Sequence, residues 1–467
     1  MKKPVKKIAL VFPPSSLNSV GVENSFIPNG ILTLAKQIED WRPDIEIKVY
    51  DGSVCSIDDI IGKIDDFKPD MLGVSALCGN YEAGKYLMEH CRKQGVVTIA
   101  GNHHANYLHS ILPLLDGKDL FPEIDYIITG NQDISVLRPL IEKLEAGDNN
   151  FKTIPNLCFS QNGIWFYPEK ITYKNSLAAP DLKRIENFNL YHENYRRVFK
   201  NFHKNIPEKR ALNVNFFKAC RQCDEPCIYC CLKDYKIQKT APEHYWNEIQ
   251  ALYGKGFNLF FETANSFTSL GNNFLEKLAE TMPRSLKETV EFMVYARADE
   301  ITEMTINLLK RLNVIRVIIG LDAADETILK EGLKKRNVYD GMNYQIAKLL
   351  NDNNIQLFGC YVPGAEGETP ETLKKTKEEI LKIMDLKNCC AIEYTSLAPM
   401  PGSKAWEKIK TSYFAEKGIS DVLKVNEIAK YWVDKMIKNI DWQMIEEIKN
   451  ELRKQAESKN IIFGGYY

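Results

Sequence analysis

No stretch of the 467 residues approaches the about 20 consecutive apolar positions that a membrane-spanning helix requires. An excess of one charge is also missing, since 61 basic residues face 62 acidic ones and the net charge is −1. That balance gives no sign of a polyanion-binding surface, and no basic patch interleaved with aromatics argues for RNA. Met1-Lys-Lys-Pro-Val-Lys-Lys is basic, but the apolar run behind it, Ile8 to Phe12, is too short for a signal-peptide core. Twelve cysteines without a targeting segment imply a reducing, cytoplasmic setting in which thiols act as ligands rather than disulfides. No extra small domain suggests recognition of a peptide leader, so the expected substrate is a small molecule.

What is present is concentrated in one short run. Cys223, Cys227 and Cys230 stand in Cys-Asp-Glu-Pro-Cys-Ile-Tyr-Cys, with three residues between the first pair and two between the second. Thiolates packed this closely converge on one small object. Three of them cannot close the four-ligand shell of structural zinc or of an ordinary cubane cluster. An iron left without a protein ligand is an open coordination site, and open sites do chemistry. Two alternatives stay open, both non-catalytic: Cys220 and Cys223 with Cys227 and Cys230 as a four-thiolate zinc knuckle, or a closed electron-transfer cluster. Cys220 and Cys231 are read as bystanders, because neighbouring cysteines cannot easily both face one cluster. The other seven (Cys55, Cys78, Cys91, Cys158, Cys360, Cys389, Cys390) sit mostly in apolar runs, where Cys acts as a small buried hydrophobe.

Residues 1–150 alternate short β-branched runs with longer amphipathic ones. Strands are read at 8–12, 45–50, 71–75, 96–100 and 126–129, and helices at 28–41, 58–67, 81–94, 108–115 and 136–146. That order predicts an α/β domain of the doubly wound, Rossmann-like class, whose ligands lie beyond the carboxyl ends of the strands. Residues 151–210 are read as a linker containing a hairpin, 157–160 and 164–167, closed by Asn162-Gly163. From 211 to 407 the alternation resumes in six strand–helix units, a partial (β/α)6 barrel with the cysteine loop just after its first strand. Residues 408–467 read as a helical extension, with Ile440, Met444, Ile448 and Leu452 forming its packing stripe. The Gly464-Gly465-Tyr466-Tyr467 tail is read as loose or as closing over the site.

The cysteine spacing, with Tyr229 before the last thiol, resembles the radical S-adenosylmethionine (SAM) enzymes. The resemblance implies a [4Fe–4S] cluster on Cys223, Cys227 and Cys230 whose open iron chelates SAM. It also implies SAM-binding roles for Tyr229, for Glu262 or Asn265 toward the amino group, for Arg297 toward the carboxylate and for Asp322 toward the ribose. Arg297 comes from Arg297-Ala298-Asp299, which matches the family's Arg-Ala-Asp. Asp322 stands in Gly320-Leu321-Asp322-Ala323, where relatives have Gly-Leu-Glu-Ser. Gly364-Ala365-Glu366-Gly367-Glu368-Thr369 matches Gly-x-Pro-Gly-Glu-Thr, with Glu366 replacing Pro.

From Ile8 to about Gly147 the chain resembles the cobalamin-binding domain fused to one large class of these enzymes. The likeness rests on Val11-Phe12-Pro13-Pro14, Pro28-Asn29-Gly30-Ile31-Leu32, Lys68-Pro69-Asp70-Met71 and Gly101-Asn102-His103-His104. It implies cobalamin contacts at Pro14, Ser53, Ser75, Leu77, Asn102, His103 and Gly130. The chain departs from the pattern in having Gly101-Asn102 for Gly-Gly and Gly130-Asn131-Gln132-Asp133 for Gly-Glu-Gly-Glu. Ser53 and Ser56 replace the His and Gly of the cobalt-ligating loop, so a bound corrinoid is expected base-off with no His below cobalt. The resemblance implies cleavage of SAM to a 5′-deoxyadenosyl radical and cobalamin-dependent methylation of an unactivated carbon. An electron donor such as flavodoxin or ferredoxin follows. The alternative is a non-methylating oxidation, cyclisation or rearrangement, with cobalamin in another role or absent.

Overall fold

The computed structural model describes residues 4–17, 27–115, 120–130, 134–172, 180–198, 209–215, 217, 227–231 and 239–464. The chain divides into two compact units, Met1–Val198 with Phe414–Lys424, and Phe199–Tyr413 with Val425–Tyr467.

The first unit runs β1 (Lys7–Phe12), α1 (Asn29–Trp41), β2 (Glu46–Asp51), α2 (Ile57–Phe67), β3 (Met71–Ser75), α3 (Tyr81–Lys93), β4 (Val97–Gly101), α4 (His103–Ile111), β5 (Tyr126–Ile128), α5 (Ile134–Ala146), β6 (Leu157–Gln161), β7 (Ile164–Phe166) and α6 (Phe188–Val198). Its sheet has the order β2-β1-β3-β4-β5-β6-β7. The first five strands pair in parallel, so the direction of winding reverses between β1 and β3, where doubly wound sheets leave a crevice. Strand β1 is buried on both faces. Its Ile8, Leu10 and Phe12 pack with Ile31, Ala35 and Ile38 of α1 and with Val136, Leu140 and Ile141 of α5. Each buried Ile, Leu, Val or Phe side chain here contributes about 1.5–3 kcal/mol of hydrophobic burial.

The hairpin read as part of a linker instead extends this sheet, with β6 antiparallel to β5 and β7 antiparallel to β6. Asn162 (φ 55°) and Gly163 (φ 77°) both take the left-handed conformation that a two-residue reversal demands. Helix α4 begins five residues earlier than its apolar periodicity suggested. Asn102 (φ 72°) follows β4, and its side chain accepts from the His103 amide at 2.8 Å, capping the helix there. Residues from the far end of the chain complete the unit. Tyr107 donates to the Ser420 carbonyl at 2.6 Å, and Lys85 pairs with Asp421 at 2.6 Å.

The second unit runs β8 (Ala211–Val214), α7 (Pro242–Tyr253), β9 (Leu259–Glu262), α8 (Asn272–Glu280), α9 (Arg284–Lys287), β10 (Glu291–Arg297), α10 (Glu303–Arg311), β11 (Val314–Asp322), α11 (Met342–Asp352), β12 (Gln356–Tyr361), α12 (Pro370–Met384), β13 (Cys389–Tyr394), α13 (Lys404–Lys417), α14 (Val425–Met436), α15 (Trp442–Ser458) and β14 (Ile462–Phe463). Strands β8 to β13 lie side by side in chain order, all parallel. A seventh strand was not foreseen: β14 adds in parallel to β13, with Ile462 against Ala391. Two residues carry no periodicity, so nothing local marks them as a strand. The packing stripe of α15 also differs from expectation. Ile445, Leu452 and Ala456 are buried, whereas Met444 is 38% exposed.

Candidate active site

The described part of the cysteine loop, 227–231, is pinned at both sides. Ile228 is buried, its amide donates to the Leu333 carbonyl at 3.1 Å, and its carbonyl accepts from the Ala405 amide at 3.0 Å. The Cys230 amide donates to the Cys227 carbonyl at 2.9 Å, so one tight turn carries both cysteines. Cys220 and Cys223 lie outside the described residues. Among the described residues no three His, Cys, Asp or Glu side chains form a metal-holding group. Cys227, Cys230 and Cys231 are half-buried. Burial pushes the Cys227 thiol up to about 11, and the nearby charges of Asp322 and Cys230 push the same way, while Lys335 and Arg297 oppose them. Two soft thiols on one turn, with cations close by, are the donor chemistry that an iron–sulfur cluster uses.

Of these groups, Arg297 ends β10 and Asp322 ends β11. The β11–β12 register shifts between Gly320 and Asp322, and Asp322 takes a left-handed φ of 62°. The carboxylate is thereby buried at 2% exposure, accepts from the Tyr229 hydroxyl at 2.9 Å and forms an ion pair with Lys335. Lys335 also donates to the Gly320 carbonyl at 2.8 Å. A Cβ on Gly320 would stand 3.2 Å from Asp322 Oδ1, so a side chain there would crowd this pair. Arg297 turns its fork onto Asp299, with Nε to Oδ1 and Nη2 to Oδ2 both 3.0 Å, and lies 3.5 Å from Glu300. A planar guanidinium held this way is oriented for bidentate carboxylate recognition.

Tyr229, Arg297 and Asp322 therefore come together beside Cys227. Glu262 and Asn265 follow β9. Glu262 is fully buried and accepts from the Ala264 amide at 3.2 Å, whereas Asn265 is exposed. The turn at 364–369 is held from inside. Glu368 accepts from the Gly364 and Ala365 amides, and burial raises its carboxyl to about 7. Glu366 pairs with Lys408 at 2.6 Å.

The sequence reading missed Lys335, Cys360 and Glu393. Arg297, Gly320, Cys360 and Glu393 are Cα partners in succession across β10, β11, β12 and β13, so they form one row on one face. Lys335 lies in irregular chain after β11, where no pattern marks it. Glu393 did carry a signal, being a carboxylate within the apolar run Ala391-Ile392-Glu393-Tyr394.

In the first unit the residues expected to meet a corrinoid fall into two sets. Ser75, Leu77, Asn102 and His103 are half-buried or exposed at the ends of β3 and β4, and Asn102 donates to Ser75 Oγ at 3.0 Å. Pro14, Ser53 and Gly130 are buried. A Cβ on Gly130 would meet the Thr172 carbonyl at 2.4 Å, so protein already occupies its surroundings. The loop after β2 is closed by α6: Tyr191 donates to Asp51 at 2.5 Å, and Asn194 donates to the Ser53 carbonyl. That loop therefore presents no imidazole and little free polar surface. His104 is internal as well. It stacks on Tyr81 at 3.9 Å and its Nε2 donates to the Asp421 carbonyl at 2.8 Å. Burial lowers its pKa to about 4, which suits a structural neutral imidazole.

No protein-family model matches the chain. It is 24% identical over 335 residues to the anaerobic magnesium-protoporphyrin IX monomethyl ester cyclase of Rubrivivax gelatinosus, covering 69% of this chain and 56% of that protein. The match thus spans little more than half of the relative's length. Among solved structures, the radical SAM methyltransferase TsrM from Kitasatospora setae, with cobalamin and a [4Fe–4S] cluster bound, superposes with a TM-score of 0.65 at 15% identity. That alignment covers 88% of this chain and 75% of TsrM. The cobalamin-dependent radical SAM enzyme OxsB, with aqua-cobalamin and SAM bound, gives a TM-score of 0.67 at 13% identity, covering 98% of this chain and 72% of OxsB. With a mostly parallel first sheet and an all-parallel second one, the chain has the fold of TsrM and OxsB.

Proposed function

We propose that this chain is a cobalamin-dependent radical SAM enzyme that methylates an unactivated carbon of a small-molecule substrate. The observation that carries the reading is the turn with Cys227 and Cys230 near Arg297 and Asp322, which end adjacent parallel strands, and Lys335, which pairs with Asp322. Cys223, Cys227 and Cys230 would hold a [4Fe–4S] cluster. Arg297 and Asn265 would hold the carboxylate and amino group of SAM, and Tyr229 and Asp322 would line its nucleoside side. Ser75, Leu77, Asn102 and His103 would meet cobalamin. Bound together, these groups supply a one-electron cleavage of SAM and a methyl donor for the resulting substrate radical. The protein's own part is orientation, a fixed set of charges and exclusion of water. Flavodoxin or ferredoxin is the proposed electron source.

A second, non-methylating reading is favoured by one observation, the likeness to a protein named as a cyclase. Anaerobic reconstitution separates the two. The methyltransferase reading expects bound iron and cobalt, 5′-deoxyadenosine formation, and transfer of label from methyl-deuterated SAM to product. Retention of iron and SAM cleavage without cobalt or label transfer would leave only the non-methylating reading. Bound cobalt(II) should show no nitrogen hyperfine splitting from a protein His in its electron paramagnetic resonance spectrum.

A further inference from the structure

The row Arg297–Gly320–Cys360–Glu393 carries a second polar feature that the roles above do not use. Cys360 and Glu393 are each half-buried on the face that also holds Arg297. The Cys360 thiol is raised first by burial and then by the charges of Glu393 and Asp322, with Lys335 opposing, so it lies within electrostatic reach of the Tyr229–Asp322–Lys335 group. Glu393 accepts from Thr395 Oγ1 at 3.1 Å and from the Cys360 thiol at 3.7 Å. A hydroxyl and a thiol are neutral donors, and the second is weak. Among the described residues no Lys, Arg or His pairs with Glu393, although the other acids of this face, Asp299 and Asp322, each hold a cation. Burial raises the Glu393 carboxyl, an unfavourable placement that a cationic partner would relieve.

We infer that Glu393, flanked by Cys360 and Thr395, is a specificity-determining subsite that binds a positively charged amino group of the substrate. The inference rests on the reading of the second unit as a SAM site and adds the chemical class that the substrate must carry. A carboxylate with unused lone pairs in a partly desolvated niche selects an ammonium over a neutral or anionic isostere, because only the ammonium supplies both charge and three donors.

The test uses the full-length chain, reconstituted anaerobically with iron and sulfide, and n-butylamine as the probe. Iodoacetamide labelling of Cys360 is followed by peptide mass spectrometry with butylamine, butanol or butyrate present. Butylamine should slow Cys360 alkylation several-fold, and the other two should leave it unchanged. Glu393→Gln should abolish that protection while iron content and SAM affinity stay at the native level. Equal effects of the three compounds, protection that survives in Glu393→Gln, or a Cys360 that does not alkylate at all would each overturn the subsite. SAM cleavage by the native chain is measured separately. Its absence would defeat the functional reading, whereas the protection experiment decides Glu393 alone.

Discussion

Removing the charge of Asp322 tests whether the group beside the cysteine turn is an energetic unit. Asp322 is 2% exposed, and its Lys335 partner retains 17% side-chain exposure. Asp322→Asn preserves shape and the acceptor for Tyr229 but strands the Lys335 ammonium. Breaking a fully buried pair costs about 3–5 kcal/mol. The residual exposure of Lys335 lets it regain some water, so about 2–3 kcal/mol is expected for this variant. Lys335→Met strands the less exposed partner and should cost more, about 3–5 kcal/mol. The double variant leaves neither charge alone, and the two losses should fail to add by about 2 kcal/mol. Urea unfolding of the iron-free chain, followed by circular dichroism across all four members of the cycle, reads this coupling. A coupling below about 0.5 kcal/mol is the behaviour of a solvent-exposed pair and would refute the argument.

Alanine at Cys223, Cys227 or Cys230 should each abolish cluster assembly, measured as iron and sulfide content, while Cys220→Ala and Cys231→Ala retain it; loss of the metal in Cys220→Ala as well would favour the four-thiolate arrangement. Arg297→Ala should weaken SAM binding about 10- to 100-fold, the loss of a charge-assisted bidentate contact, without emptying the cluster. An unchanged affinity in equilibrium binding removes Arg297 from the SAM site. Glu368 has a folded pKa of about 7 against an ordinary 4.5, raised by burial. The native state therefore keeps a proton that the unfolded chain releases, and stability falls as pH rises from about 4.5 to 7. Glu368→Gln, whose amide oxygen can accept both backbone N–H groups, should match the native protein at pH 4.5 and exceed it by up to about 3 kcal/mol above pH 7 in thermal unfolding.

Much of both sheets was legible because parallel strands buried on two faces read as continuous apolar runs, and the helices between them keep a 3.6-residue stripe. Legibility failed where non-local contacts decide. The strand at Ile462–Phe463 exists only because the edge of β13 is there to pair with it. Met444 fits a helical stripe as well as Ile445 does, and packing chooses between them. At the site, Arg297 and Asp322 stood out because each ends a strand within a short motif. Cys360 looked like an ordinary buried thiol, and only the registry across β11, β12 and β13 puts it in a row with charged groups. Lys335 reaches Asp322 from 13 residues further along the chain, a separation that no periodicity encodes.

The share of residues 414–424 in the first unit has a consequence for biosynthesis. Tyr81, Lys85, His104 and Tyr107 find hydrogen-bond or ionic partners on Ser420 and Asp421. A ribosome that has finished residue 198 must add some 226 more before that segment is complete. At about 5–20 residues per second, the nascent first unit waits about 10–45 seconds with those groups exposed. Synthesis order and folding order are therefore uncoupled in this chain, and the interval is a window in which a chaperone could hold the half-built sheet.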